Sequence, residues 1–273
     1  MPAVSVCICT RNRPRELLTV LRSIERSVVP VHQVVVSDDS TCGETQRQVR
    51  ESARHVTYLT GPHAGLGANR NLAAGAATGD LLLFLDDDCQ LDEHFLTHAL
   101  ARLRGEDHRT IVTGRETKHG SLVAPRAQTF LGYQARPYRV GEAMTSVVIN
   151  STLWPLALFD EIRFDQQLVY GYDEVDLASR ATAIGYKIVP CSEAINHHTP
   201  AAANRSMYER YVEASRIYVT HKRYRLTERR PWKARVFLVG AAVHLLAACI
   251  RRNGPRGVIR AADALLQAAV YVR

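Results

Sequence analysis

Short apolar runs alternate with polar segments of helical spacing through the first ninety residues of the chain. The apolar runs lie at 3–9, 33–37, 55–60 and 81–85. The segments with apolar residues at helical spacing lie at 15–27, 44–54 and 68–77. This order predicts β-α-β-α-β-α-β. The strands are apolar on both faces, which is typical of a parallel sheet covered by helices. We therefore expect an α/β fold with a mostly parallel central sheet.

The pattern is less regular beyond residue 109. It predicts strands at 110–116, 146–150 and 186–190, and helices at 155–159 and 173–184. After Asn196 the spacing is helical. We divide the chain into a main domain at 1–204, whose halves are 1–110 and 111–204, and a C-terminal helical region at 205–273.

The most apolar stretch is 236–250, with His244 inside it. Fifteen residues make about 22 Å of helix, less than the roughly 30 Å hydrocarbon core, which argues against a membrane span. Basic residues flank the stretch, at Lys233 and Arg235 before it and at Arg251 and Arg252 after it. Two interpretations remain open: a helix that lies on an anionic membrane, or one that packs on the main domain or on a second copy.

Composition narrows the class of protein. The 273 residues are 46% hydrophobic and 23% charged, which excludes a disordered chain and a multispan membrane protein. The net charge is +8, yet 205–273 alone carries 15 basic and 4 acidic residues, a net of +11. Such asymmetry is typical of a region that meets an anionic surface, although it also fits a solvated basic helix.

Two features predict the compartment. The six cysteines form no CxxC pair, so we interpret them as reduced thiols. The first ten residues lack the basic and long apolar regions of a signal peptide. We therefore expect a cytoplasmic protein, and a peripheral location on the inner face of the membrane is the second expectation.

Three polar clusters follow three of the predicted strands: Thr10–Arg13, Asp38–Ser40 and Asp86–Asp88. Ligands of open α/β sheets bind at the carboxyl ends of the strands, so one shared crevice is expected there. Three successive carboxylates repel one another unless a cation neutralises them. Mg²⁺ or Mn²⁺ with a diphosphate fits this oxygen-rich corner. Surplus acids at the start of a helix are the alternative.

The other candidates are weaker when each is taken alone. Asp38 and Asp39 could accept hydrogen bonds from a base or a ribose, or could cap a helix. Arg70 could pair with phosphate or with acidic residues. Asp173 and Glu174 begin a predicted helix, where capping competes with a role as general base.

Taken in order, these segments resemble glycosyltransferase family 2, whose fold is called GT-A. The resemblance covers residues 3 to about 200. It implies that 1–204 is a catalytic domain, with a nucleotide-sugar-binding half at 1–110 and an acceptor half at 111–204, and that 205–273 is a basic amphipathic helical region. The segments are VSVCICTRNRP, VVVSDDST, GLGANRNLAAGAATGDLLLFLDDDC, FDQQLVYGYDEVDLASRATAIGYKI and NHHTP.

The resemblance implies a role for each candidate in the front half. It implies that Thr10 and Arg11, with Asp38 or Asp39, bind the nucleoside. Asp38 aligns with the family's nucleobase-binding acid, and a shift of one residue would give that role to Asp39. Arg70 matches the arginine of the family's Arg-Asn step. The D-x-D motif falls on Asp86–Asp88: Asp86 lies near the ribose, Asp88 on Mn²⁺ or Mg²⁺, and Asp87 takes the variable middle position.

Two further assignments lie late in the chain, and the first departs from the family pattern. The family's Glu-Asp pair is reversed here as Asp173 and Glu174. By register Glu174 takes the position of the general base, and Asp173 remains the alternative. His198 matches a late metal-ligating or diphosphate-contacting histidine of some relatives, and His197 is equally placed.

The function that the resemblance implies is an inverting, metal-dependent glycosyltransferase. It would move a sugar from a UDP- or dTDP-sugar to the hydroxyl of a natural product, a cell-surface glycan or a lipid-linked glycan. A nucleotidyltransferase is the first alternative, although the loop TRNRP lacks the glycines of a phosphate loop. A non-enzymatic binder that acts through its basic tail is the second. We expect no nucleic-acid partner, and either membrane contact or a homodimer through 205–273.

Overall fold

A computed structural model of the protein describes residues 1–53, 55–200 and 208–272. The strands in chain order are β1 (Val4–Thr10), β2 (Gln33–Asp38), β3 (Thr57–Thr60), β4 (Leu81–Asp86), β5 (Cys89–Gln90), β6 (Thr110–Lys118), β7 (Ser121–Val123), β8 (Arg126–Gln128), β9 (Gln134–Pro137), β10 (Thr152–Pro155) and β11 (Lys187–His198). The α-helices are α1 (Pro14–Glu25), α2 (Glu44–Ser52), α3 (Leu66–Gly75), α4 (Phe95–Leu103), α5 (Leu158–Glu161), α6 (Asp173–Ala183), α7 (Glu209–Lys222), α8 (Pro231–Asn253) and α9 (Arg256–Val272).

The main sheet has the strand order β3-β2-β1-β4-β10-β6-β11-β5, with β7 beside β6. Its first four strands are parallel to one another, as the sequence predicts. The remaining part is mixed, because β10 runs antiparallel to β4 and β6 while β11 runs parallel to β6. The α/β fold class is confirmed.

Both faces of the parallel strands are buried. Alternate residues of β4 pack on opposite sides: Leu83 lies in the cluster that includes residues of α1, α2 and α4, and Phe84 lies in the cluster that includes residues of α3 and α6. This alternation explains why the strands are apolar without interruption. It also leaves the carboxyl ends of β1, β2 and β4 together at one edge.

The middle of the chain differs from the prediction. The segment 146–150 is not a strand: Ile149–Ser151 forms a 3₁₀ turn, and the strand follows at β10. The helix expected at 155–159 is instead the short α5. Strand β11 also runs past the predicted end at residue 190, with a register irregularity between Pro190 and Ile195. Residues 196–198, where helical spacing was expected to begin, are therefore still strand and pair with β6.

The boundary predicted at residues 204 and 205 falls within 201–207, outside the described residues, as does Arg54 at the end of the second predicted helix. Helix α7 makes a short π-helical turn at Arg223–Thr227 before α8 begins. Residues of α7, α8 and α9 share one apolar cluster with Val175 of α6. The C-terminal helices therefore pack into the molecule.

Helix α8 is longer than the apolar run 236–250 predicts. It has 23 residues, which is about 34 Å, because Pro231 starts it and Gly254 ends it. By length and composition it could cross a membrane, because an 18-residue window within it has a mean hydropathy of 1.7. Length therefore gives no argument against a span. One face, however, is buried in the protein through Ala234, Phe237 and Ala241.

Candidate active site

A cleft of about 830 Å³ opens at the carboxyl ends of β1 and β4. The lining residues from the predicted set are Thr10, Arg11, Asp39, Asp86, Asp87, Asp88 and His198. The polar clusters expected to share one crevice therefore do share it. Its wall also includes Val169, Tyr170 and Tyr208, and the two tyrosine rings lie 4.7 Å apart between centroids.

The three successive aspartates do not face one another unpaired. Arg70 Nη2 donates to Asp86 over 2.8 Å. Arg13 Nη1 donates to Asp87, and to Asp88 over 3.1 Å. Thr10 Oγ1 donates to Asp87 over 2.8 Å. Cationic side chains of the protein thus offset part of the repulsion that the sequence implied.

The local environment gives Asp87 and Asp88 different pKa values. Burial raises the pKa of Asp87 to about 7, although Arg13 and Thr10 act to lower it. Burial also acts to raise the pKa of Asp88, but hydrogen bonds and charge from His198 and Arg13 outweigh it and lower the pKa to about 2. Asp88 is therefore the ionised carboxylate of the pair over the whole neutral range.

Asp86, Asp88 and His198 bring three ligand atoms within 4.8 Å of one another. His198 Nε2 lies 3.1 Å from Asp88, and its Nδ1 lies 3.1 Å from a carboxylate oxygen of Glu116. A second carboxylate behind a ligating imidazole is the usual outer-shell arrangement of metal sites. Two carboxylates and one imidazole are a donor set that fits a divalent cation such as Mn²⁺.

His198 carries a proton in the absence of a cation. Burial acts to lower its pKa, but the hydrogen bonds to Asp88 and Glu116 outweigh it and raise the pKa to about 9. A metal ion binds neutral imidazole, so its binding would release this proton.

Asn150 joins the acidic corner, which is formed by Asp86–Asp88, to the second half of the sheet. Its Oδ1 accepts from the backbone N–H of Asp86 over 2.8 Å, and its Nδ2 donates to Asp86 and Glu116 over 3.2 Å each. Asn196 holds Asn150 in turn, by donating to its backbone carbonyl over 2.6 Å. The corner is thus fixed by residues from β4, β6, β11 and the 3₁₀ turn.

Arg70 connects the acidic corner to the start of α6. Its side chain is buried and donates both to Asp86 and to Asp173. Asp173 follows a sharp turn in which Gly171 has φ 79° and Tyr172 has φ 64°. A bulky residue at positive φ is strained, and such strain is often found at functional sites.

Glu174 lies next to Asp173 and is partly buried. Burial and the neighbouring charge of Asp173 raise the pKa of Glu174. Neither residue lines the cleft among the described residues. The structure therefore brings Asp173 to the acidic corner through Arg70, while Glu174 stays on the first turn of α6 with a proton affinity suited to a base near neutral pH.

Of the two candidates for the nucleoside, the structure places Asp39 on the cleft and Asp38 behind it. Both carboxylate oxygens of Asp38 accept hydrogen bonds, one from Ser40 and the other from the Tyr58 hydroxyl. Asp39 accepts from the backbone N–H of His63 over 2.9 Å. Its second oxygen has no hydrogen-bond partner in the described part of the chain.

Sequence reasoning placed Arg13 in the strand-exit cluster Thr10–Arg13 but gave it no role of its own. It missed Glu116, Asn150 and Lys118, the last of which lines the cleft. No local signal marks these three, because each reaches the site through pairing of β6 or through the 3₁₀ turn.

The profile of the family described as Glycosyl transferase family 2 matches residues 5–153. The succinoglycan biosynthesis protein ExoM of Rhizobium meliloti is 30% identical over 130 residues, which are 45% of this chain and 41% of ExoM. The uncharacterised glycosyltransferase YwdF of Bacillus subtilis is 26% identical over 212 residues, 74% of this chain and 77% of YwdF.

Two solved structures share the fold. The mannosyltransferase PcManGT of Pyrobaculum calidifontis, in complex with GDP-Man and Mn²⁺, superposes with a TM-score of 0.60 at 19% identity, covering 98% of this chain and 75% of that one. Residues 1–349 of TarS from S. aureus, in complex with UDP, superpose with a TM-score of 0.57 at 18% identity, covering 98% of this chain and 90% of TarS 1–349.

Proposed function

Because this chain belongs to glycosyltransferase family 2 and is a glycosyltransferase, we propose that it transfers a sugar from a nucleoside-diphosphate sugar to an acceptor hydroxyl with inversion of the anomeric centre. The observation that carries the proposal is the group Asp86, Asp88 and His198 on the wall of a cleft of about 830 Å³. A cleft of that volume suits a nucleotide sugar.

The donor would lie along the ends of β1, β2 and β4. The free oxygen of Asp39 suits the imide N–H of a uracil or thymine, which supports UDP- or dTDP-sugars as donors. Thr10 and Arg11 border the same part of the cleft. Arg13 Nη2 is buried without a hydrogen-bond partner among the described residues, so it is available to a diphosphate oxygen.

Asp86, Asp88 and His198 would hold the cation, with Glu116 orienting the imidazole. The bound cation would supply positive charge to the diphosphate that leaves. Imidazole is a better ligand for transition metals than for Mg²⁺, so this set favours Mn²⁺.

Glu174 would remove the proton of the acceptor hydroxyl as the sugar is transferred. Its raised pKa makes it a stronger base than an ordinary carboxylate. Arg70 binds Asp173 and thereby leaves Glu174 as the carboxylate of the pair that can accept a proton. A single base of this kind supports direct displacement and inversion.

The acceptor would enter beside Val169, Tyr170 and Tyr208. Aromatic rings pack well on the apolar face of a sugar or of a natural product. We propose a natural product or a cell-surface or lipid-linked glycan as the acceptor, and the cytoplasm or the inner face of the membrane as the place of reaction.

Calorimetric titration of UDP, dTDP and GDP with Mn²⁺, with Mg²⁺ and with EDTA tests the donor site. We expect tight binding of a uridine or thymidine diphosphate that requires the divalent ion. Asp88→Ala should lose the metal-dependent part of nucleotide binding, and it should also lose the slow hydrolysis of a matching nucleotide sugar to free nucleotide. Asp160→Ala, which changes an exposed acid outside the cleft, should retain both. Unchanged metal-dependent binding in Asp88→Ala would overturn the proposal.

A further inference from the structure

We propose that the α8–α9 hairpin docks the protein onto an anionic lipid bilayer, with both helices in the plane of the membrane surface. The inference concerns a surface outside the cleft and does not depend on the proposed function. Three observations support it: an apolar stripe on α8, a second on α9, and the sign of the charges around them.

Helix α8 has two apolar faces. One is buried against α7 and α9. The other is exposed and follows a spacing of three and four residues through Val236, Val239, Val243, Leu246 and Ile250. Val239 and Val243 are 67% and 64% exposed, which is unusual for a continuous apolar row.

Helix α9 repeats this arrangement. Gly257, Ala261, Ala264 and Ala268 are buried, whereas Ile259, Leu266 and Val270 are exposed, with Ile259 at 72%. The two helices contact each other closely: a Cβ added to Gly257 would lie 2.2 Å from the carbonyl oxygen of Cys249. Two adjoining helices therefore present large apolar side chains to solvent.

The charges on α8 and α9 are almost all basic, and two acidic neighbours, Glu228 and Glu209, are paired with Lys233 and Arg260. Helix α8 contains no acidic residue, and Asp263 is the only one in α9. Asp263 already lies 3.4 Å from Arg210. The basic residues stand at the helix ends and beside the stripe: Lys233, Arg235, Arg251, Arg252, Arg256 and Arg260. Apolar rows flanked by arginine are the pattern of helices that lie at the interface of anionic membranes.

A second copy of the chain fits this surface poorly. Basic residues stand at both ends of the α8 stripe, at Arg235 and at Arg251 with Arg252, so either parallel or antiparallel pairing sets arginines against arginines. A transmembrane orientation fits poorly as well, because it would extract Phe237 and Leu245 from the cluster shared with α7 and α9. The in-plane orientation keeps that cluster intact.

Flotation with lipid vesicles is the first test. The full chain should float with vesicles of phosphatidylcholine and phosphatidylglycerol in equal parts, should bind phosphatidylcholine alone at least about tenfold more weakly, and should be released by high salt. No binding to the anionic vesicles overturns the proposal. Binding that resists both high salt and alkaline extraction overturns the in-plane orientation.

The triple variant Val236→Ser, Val239→Ser, Val243→Ser should lose at least about tenfold in partition to anionic vesicles. Its matched control changes three exposed apolar residues elsewhere: Val28→Ser, Leu122→Ser, Val140→Ser. Equal partition of the two variants overturns the proposal, and circular dichroism checks that both are folded.

Two tryptophans allow a second readout that needs no destabilising change. Trp232 at the start of α8 is 66% exposed, and Trp154 is fully buried in the core. Brominated phosphatidylglycerol vesicles should therefore quench the emission of Trp232, and Trp232→Phe should remove the quenched component. If light scattering instead shows a dimer that the serine triple variant dissociates, with no quenching by lipid, the partner is a second copy and the proposal is wrong.

Discussion

Asp38 and Asp39 are neighbours in the chain with different surroundings. Asp38 is saturated by Ser40 and Tyr58, whereas Asp39 lines the cleft with one free oxygen. Asp38 is the last residue of β2 and Asp39 lies just beyond the strand, so these adjacent carboxylates have different partners and can have separate roles.

We predict that Asp39→Asn weakens binding of the donor nucleotide about tenfold or more, because a hydrogen bond to a charged group contributes roughly 1.5–3 kcal/mol. Asp38→Asn should instead lower the melting temperature and leave nucleotide affinity close to that of the wild type. Titration calorimetry and thermal unfolding of both variants measure the two effects. If Asp38→Asn weakened nucleotide binding and Asp39→Asn lowered only the melting temperature, the nucleoside would bind at Asp38.

Glu174→Gln should reduce the rate of transfer by about two to four orders of magnitude while nucleotide affinity is retained. The wild-type rate should fall as the pH drops through the raised pKa of Glu174, because the base is lost on protonation. The variant should lack this limb of the pH profile. If this limb persisted in Glu174→Gln and was absent in Asp173→Asn, Asp173 would be the base.

The raised pKa of Glu174 also predicts how the stability of the folded protein changes with pH. A carboxyl whose pKa is raised by folding favours the folded state while it is protonated and disfavours it once ionised. The melting temperature of Glu174→Gln should therefore exceed that of the wild type increasingly as the pH rises through the raised pKa. Thermal unfolding over a series of pH values gives the comparison.

At the scale of elements, the pairing of β6 with β11 positions much of the acidic corner. These strands carry Glu116, Asn196 and His198 to the end of β4. The approach is closest at Gly114, where an added Cβ would lie 2.1 Å from the carbonyl oxygen of Ala194. A glycine is needed there because backbone, which cannot rotate away, is the neighbour.

Gly114→Ala should therefore lower the free energy of unfolding by about 1–3 kcal/mol and weaken Mn²⁺ binding, because β11 must shift. Gly75→Ala is the matched control at the end of α3, where nothing lies within 4 Å, and it should raise stability by up to about 1 kcal/mol. Urea unfolding and metal titration compare the two. If Gly114→Ala bound Mn²⁺ with wild-type affinity, the metal site would not depend on the pairing of β6 with β11.

At the scale of the whole molecule, the C-terminal helices belong to the same apolar core as helix α6. Val175, one residue after Glu174, lies in one cluster with Ile217 and Phe237. The helical region predicted as an extension thus supports the turn that presents the candidate base.

Phe237→Ala should destabilise the protein by about 3–5 kcal/mol, because a fully buried aromatic ring is lost, and should also lower the rate of transfer. Val239→Ala on the opposite, exposed face of α8 should change stability by less than about 0.5 kcal/mol. Calorimetric unfolding and initial rates test both variants. A stable Phe237→Ala protein would show that α8 contributes little to the core.

The parallel half of the sheet and the acidic cluster at its edge follow from the amino-acid sequence alone. Both depend on contiguous signals: uninterrupted apolar strands, helical spacing, and aspartates directly after a strand. The family resemblance extended this to Arg70, Asp173, Glu174 and His198.

Which of these residues meet, and which partners hold them, depends on the tertiary structure. Glu116 and His198 are 82 positions apart and meet because β6 and β11 pair. Asn150 reaches Asp86 from a turn where the pattern had predicted a strand. Tertiary contacts of this kind leave no local periodicity, since they are set by strand register and by the packing of distant elements.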